Sequence, residues 1–202
     1  MKQKDINNGI TSTRKDEVIR VAARLFAAKG YHATTLDEIA EEIGVTKPAL
    51  YYYITSKEDI LRSIINRIME PMEEASEVGK SSLPPKERME RIIRILVQFS
   101  AERTETTRIA FEQSNILPKR SQDALRRRQK DVERVVEQTL KDGADQGVFV
   151  VSDIKMTSFA ILSVSNWLYR WYEPKGTMTP KEIADVFIDL LERGYLKNNS
   201  RD

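Results

Sequence analysis

Thr35-Leu-Asp-Glu-Ile-Ala-Glu-Glu-Ile-Gly-Val-Thr-Lys-Pro-Ala-Leu-Tyr-Tyr-Tyr-Ile-Thr-Ser-Lys-Glu-Asp59 decides the fold, because it carries three helix starts in quick succession. Thr35 and Glu38 have the spacing of a capping box, in which a side-chain oxygen and a carboxylate satisfy the free N–H groups of a first turn. The helix they open has an apolar stripe of Leu36, Ile39, Ala40 and Ile43 and stops at Gly44. After only Gly44 and Val45, Thr46 can cap a further short helix with Pro48 tolerated in its first turn, running through Ile54. Ser56 and Asp59 then start a long helix whose apolar face holds Ile60, Leu61, Ile64, Ile65, Ile68, Met69 and Met72.

Outward from this stretch the pattern stays helical. From Arg14 to Lys29, Ile19, Ala22, Ala23 and Phe26 recur at i, i+3, i+4 and i+7, and Gly30 follows as a stop. Ser81 to Pro85 is the clearest break in the chain. Further helices are expected through Met89 to Phe99, Thr104 to Asn115, Pro118 to Lys141, Asp153 to Tyr172 and Pro180 to Leu196. The expected architecture is all-α, with about nine helices: an N-terminal three-helix unit over residues 14–72, then a helical unit over 73–198.

Composition removes several functions. The 202 residues hold no cysteine and one histidine, which excludes disulfides, thiolate nucleophiles, cysteine-ligated zinc and two-histidine metal sites. No cofactor is expected, and with no triad partners for His32 and no glycine-rich phosphate loop, neither is catalysis. The polar first residues do not read as a secretory signal, and nothing reaches the roughly 18 apolar residues of a membrane span. A cytoplasmic location without membrane association is expected. Residues 1–60 carry six Lys and three Arg against four Asp and five Glu, so binding of nucleic acid must rest on local placement.

Two short helices joined by a tight glycine turn answer the description of a helix-turn-helix, whose second helix enters the major groove by its N-terminal residues. That puts Thr46, Lys47, Pro48 and Ala49 on the DNA side. Leu50 and Ile54, four apart, point into the core and leave Tyr51, Tyr52 and Tyr53 around the remaining surface, where a hydroxyl can meet phosphate and a ring can cover a thymine methyl. Exposure of two or more of these tyrosines is expected; the alternative is that at least one packs on the following helix. Thr35 and Lys57 stand at helix N-termini, which attract phosphate, although Thr35 and Ser56 serve equally as caps.

Gly30-Tyr-His-Ala-Thr-Thr-Leu-Asp-Glu-Ile-Ala40 and Gly44 through Leu61 together resemble the DNA-binding domain of the TetR family of bacterial regulators. The resemblance implies a homodimeric, usually repressing regulator whose C-terminal helices hold a small ligand. Position by position it assigns DNA contact to Thr35, Lys47, Tyr51, Tyr52 and Lys57. Tyr53 stands where many members carry histidine, and Ile54 where many carry phenylalanine.

The C-terminal half bears on partners. Apolar residues wrap nearly all round the segment 154–172, so burial on both sides is expected: one face on its own subunit, the other, with 180–196, in a homodimer seam. Such a dimer reads successive major grooves of double-stranded DNA, hence a palindromic operator. Candidates for an effector cavity are Met69, Met72, Leu96, Phe99, Ile109, Phe111, Phe159 and Trp167, residues that serve equally as core. Asn166 and Arg170, four apart on an apolar helix, read as a buried polar pair. The basic run from Lys119 to Arg134 reads as a solvated face or as a phosphate holder at a cavity mouth. Asn166 to Gly176 is similar to the C-terminal part of TetR-family regulators of acyl-CoA catabolism, which implies an acyl-CoA effector. The competing expectation is a DNA-bound platform for a protein partner, without an effector.

Overall fold

A computed structural model describes residues 2–112 and 114–195, with side chains from Arg14 to Gly194. The expected boundaries at 196 and 198 fall outside these residues. The described residues contain nine α-helices and no strand: α1 (Lys2–Lys29), α2 (Leu36–Ile43), α3 (Lys47–Leu50), α4 (Lys57–Lys80), α5 (Pro85–Glu102), α6 (Thr104–Phe111), α7 (Lys119–Asp145), α8 (Ile154–Asn166) and α9 (Pro180–Tyr195). Short 3-10 turns at Ser114–Ile116 and Leu168–Arg170 join the later helices.

Local chemistry accounts for the first half. Thr35 and Glu38 form a complete capping box on α2, and Gly44 closes that helix at φ 74°, a left-handed conformation that glycine adopts without a Cβ penalty. Thr46 caps α3 by accepting the Ala49 N–H at 3.3 Å, and Ser56 caps α4 by accepting the Asp59 N–H at 3.0 Å. Helix α1 begins at Lys2, twelve residues before the apolar pattern does; no proline interrupts that stretch, and extending an existing helix costs little. Helix α3 is shorter than its pattern suggested. After Leu50 the chain tightens through Tyr51–Tyr53, with the Tyr52 and Tyr53 amides bonding three residues back rather than four.

One apolar core runs from Val18 to Ile188. Helix α4 carries it lengthwise: Ile60 and Ile64 are buried near its start, where the helix packs on α1, and Met72 and Ala75 are buried further along. Helix α5 is the central element, touching α4, α6, α7, α8 and α9, with Met89, Ile92, Ile93 and Val97 fully buried. The 154–172 segment is not central. It buries Ser158, Ile161, Ser165 and Leu168 and leaves Met156, Phe159, Trp167 and Trp171 exposed. Helix α9 likewise buries Ile183 and Ile188 but exposes Val186 and Leu190.

The far ends of α4 and α7 meet at Gly79, where an added Cβ would lie 2.5 Å from that of Val135. Beside it, the buried Arg88 donates to the Gly79 carbonyl at 2.8 Å and to Asp142 at 2.6 Å, and holds that carboxyl below its usual range. Gly79→Ala must separate the helices, an overpacking cost of about 1–3 kcal/mol. Its thermal midpoint should fall by about 2–10 °C, whereas Gly194→Ala, with open space around it, should leave the midpoint in place. Equal midpoints for the two variants would contradict this packing.

Candidate nucleic-acid interface and effector cavity

Most of the residues assigned to DNA are exposed. Thr46, Lys47, Pro48 and Ala49 are all exposed at the start of α3, while Leu50 and Ile54 are buried beneath them. Tyr51 and Tyr52 are 49% and 73% exposed; Tyr53 packs half-buried against the core, its ring edge-on to Tyr52. Thr35 is exposed, and so is His32, whose ring lies against Tyr31.

In the free protein this surface is internally neutralised. The Lys47 ammonium lies 2.8 Å from Asp37 on α2, which raises the lysine's pKa. Arg24 on α1 pairs with Glu42 on α2. Lys57, expected at the phosphate side, has its ammonium engaged with the loop before α2. It donates to the Tyr31 and Thr34 carbonyls at 2.7 and 2.8 Å and sits 4.4 Å from the Tyr31 ring centre. A compact ammonium suits this loop, because three donors meet carbonyl dipoles and a ring face at once.

Glu38 ties α1 to α2. Its carboxylate accepts from Lys29 at 2.8 Å and from the Thr35 amide at 2.8 Å, and these bonds, Lys29 first, hold its pKa down at about 2. A carboxyl with a depressed folded pKa stabilises above its unfolded value, near 4.3, and loses that effect as pH falls towards the folded value. Wild type should therefore exceed Glu38→Gln in urea midpoint at neutral pH, with the gap closing between about pH 4 and pH 2. A gap that stays constant over that range would contradict the assignment.

The cavity residues divide. One groove, of about 740 Å³, is lined by Phe111, Asn166, Trp167 and Arg170, with Glu112, Tyr169, Trp171 and Phe187. A second, of about 500 Å³, is lined by Met72, Leu96, Phe111, Phe159 and Asn166, together with Arg126, Gln129 and Glu133 of α7. Phe111, Ser163 and Asn166 belong to both. Phe99 lines neither and faces a separate hollow between α4 and α5. Met69 is half-buried against the core, and Ile109 is fully buried because, two residues before Phe111, it lies on nearly the opposite side of α6.

Asn166 and Arg170 are not a buried pair. The α-helix ends at Asn166 and a 3-10 turn follows, so the four-residue spacing no longer keeps one face. Arg170 is exposed, its guanidinium 4.5 Å from the Trp167 ring centre and its Nε 3.4 Å from Glu112. The Tyr169 hydroxyl donates to the same Glu112 carboxylate at 3.0 Å, and burial followed by this bond pushes its pKa up. Sequence reasoning missed Glu112 and Tyr169, although Tyr169 adjoins Arg170. In the basic run, Arg126 pairs with Asp123, Arg128 with Glu73 and Arg134 with Asp131; Arg126 also reaches the second cavity.

The family model for bacterial regulatory proteins of the tetR family matches residues 18–64, and that for the tetracyclin repressor-like C-terminal domain matches 82–195. The chain belongs to the TetR family: it is a DNA-binding transcriptional regulator and not an enzyme. It is 25% identical over 187 residues to the uncharacterized HTH-type transcriptional regulator YhgD of Bacillus subtilis, covering 92% of this chain and 98% of that one. It is 23% identical over 195 residues to the HTH-type transcriptional repressor KstR2 of Mycobacterium tuberculosis, covering 94% and 96%. Among solved structures, AibR in complex with isovaleryl coenzyme A and operator DNA is 28% identical, with a TM-score of 0.66 over 88% of this chain and 97% of that one.

Proposed function

We propose that the protein is a homodimeric repressor that leaves a palindromic operator when a largely apolar small effector, of the acyl-CoA class, occupies the C-terminal cavities. The exposed start of α3 carries this reading, since Thr46, Lys47, Pro48 and Ala49 stand clear of the core together with Tyr51 and Tyr52. Residues 14–72 form the DNA-binding unit, with Thr35 and Tyr53 at its edge. Lys57 supports it by holding the loop before α2. Residues 73–198 form the effector and dimerisation unit.

The large apolar side chains exposed on α8, on the turn after it and on α9, namely Met156, Phe159, Trp167, Trp171, Val186 and Leu190, favour a dimer, because exposed apolar surface of this kind marks association sites. Two recognition helices in such a dimer meet successive major grooves about 34–36 Å apart. The effector class is supported by the likeness to AibR, solved with isovaleryl coenzyme A, and by cavities walled with aromatic rings that open beside Arg126 and Arg170. Release requires the effector to favour a dimer whose recognition helices no longer fit the groove spacing.

Fluorescence anisotropy on duplex DNA from upstream of the protein's own gene, at fixed salt, tests the reading. Lys47→Ala and Tyr51→Ala should each weaken binding about tenfold or more while leaving the thermal midpoint unchanged. Wild-type affinity in both variants would overturn the interface. Isovaleryl-CoA or a longer acyl-CoA should release the wild type; tight binding unaffected by every thioester would discard the effector class.

A further inference from the structure

Helix α4 contains a proline in its interior. Pro71 has no N–H to give to the carbonyl of Arg67, so the hydrogen-bond ladder of the connecting helix is broken there. That carbonyl is met from outside the helix: Arg103 Nη1 donates to the Arg67 oxygen at 3.2 Å, and the same guanidinium nitrogen lies 3.5 Å from Glu70.

Arg103 is placed for this by its backbone. It is the residue at which α5 ends and α6 begins, at φ −130° and ψ 49°. Its amide closes α5 by bonding the Phe99 carbonyl at 3.1 Å, and its own carbonyl accepts from the Thr107 amide and hydroxyl, both at 2.9 Å. The side chain of Arg67 turns the other way and pairs with Asp16 on α1. From α1 the packing continues to α2 and the recognition surface.

We propose that Arg103 is a positioning residue that sets the α4–α1 frame. Its guanidinium supplies the bond that Pro71 removes, so the course of α4 at its weakest point is fixed by the α5–α6 junction and not by α4 alone. Helix α6 is a rod of about 12 Å by its eight residues. Its far end lines the cavities through Ala110 and Phe111, and Glu112 follows directly. A shift at Phe111 therefore moves the donor that holds Arg67, and with it the pairing to Asp16. This deepens the proposed function by naming a link between cavity and DNA surface, but the bond itself exists without any effector.

A variant cycle on the full chain separates this link from ordinary stabilisation. Arg103→Ala should lower the thermal midpoint by about 3–8 °C, since it strands a carbonyl in a broken helix. In a Pro71→Ala background the residue-71 amide can bond Arg67 again, so the same change should lose less than half as much. Hydrogen exchange should quicken in Arg103→Ala at the amides of residues 67–75 and also around Asp16, with α9 unchanged, and return to wild-type rates in the double variant. Arg103→Lys, read in both backgrounds, gives the same cycle if the alanine variant does not fold. Equal losses in the two backgrounds, or faster exchange confined to residues 100–107, would overturn the proposal. Neither readout uses DNA or a thioester, so failure of isovaleryl-CoA to release the operator would count against the proposed effector and leave this link standing.

Discussion

The structure depends on α4 belonging to two packed regions at once. Its first half packs against α1 with Ile60 and Ile64 buried, and its second half lies against α5 and α7 with Met72, Ala75 and Gly79 buried. Close-packed interiors transmit displacement because they have few voids to absorb it. The C-terminal helices meet the N-terminal unit along α4 and across the contact between α1 and α6.

Within that frame, charge pairs hold the DNA-binding helices in one arrangement. Lys29–Glu38, Arg24–Glu42 and Lys47–Asp37 link α1 to α2 and α2 to α3, and Lys57 ties α4 to the loop before α2. Exposed pairs of this kind contribute little stability singly. Their effect here is orientation, and in the proposed complex with DNA Lys47 would exchange Asp37 for a phosphate or base edge. The cavities are arranged differently: aromatic and aliphatic walls, with polar groups from Ser114, Ser163, Asn166, the Glu112–Tyr169–Arg170 cluster and the α7 residues Arg126, Gln129 and Glu133.

How much the sequence disclosed follows from the range of the interactions. The caps at Thr35, Thr46 and Ser56 and the stop at Gly44 were legible because each is settled within four residues. The exposure of Tyr51 and Tyr52 followed from the burial of Leu50 and Ile54. The engagement of Lys57 with that loop was not legible, since its partners Tyr31 and Thr34 lie more than twenty residues away. The end of α8 at Asn166 carries no glycine or proline to announce it, and that break moved Arg170 out of the interior. Met69, Phe99 and Ile109 satisfy the same pattern as the residues that line the two grooves; only the facing helices decide which side chains meet a groove.

The central claim is that the two recognition surfaces of a dimer change separation when the cavities fill. With no cysteine in the chain, a single spin label at Glu41→Cys on the exposed side of α2 reports that separation directly. In pulsed electron-spin distance measurements the account predicts one inter-protomer distance for the dimer on its operator. Added isovaleryl-CoA, or a longer thioester that releases the DNA, should give a distinct distance. No measurable pair distance, or the same distance with a thioester bound as on the operator, would contradict it.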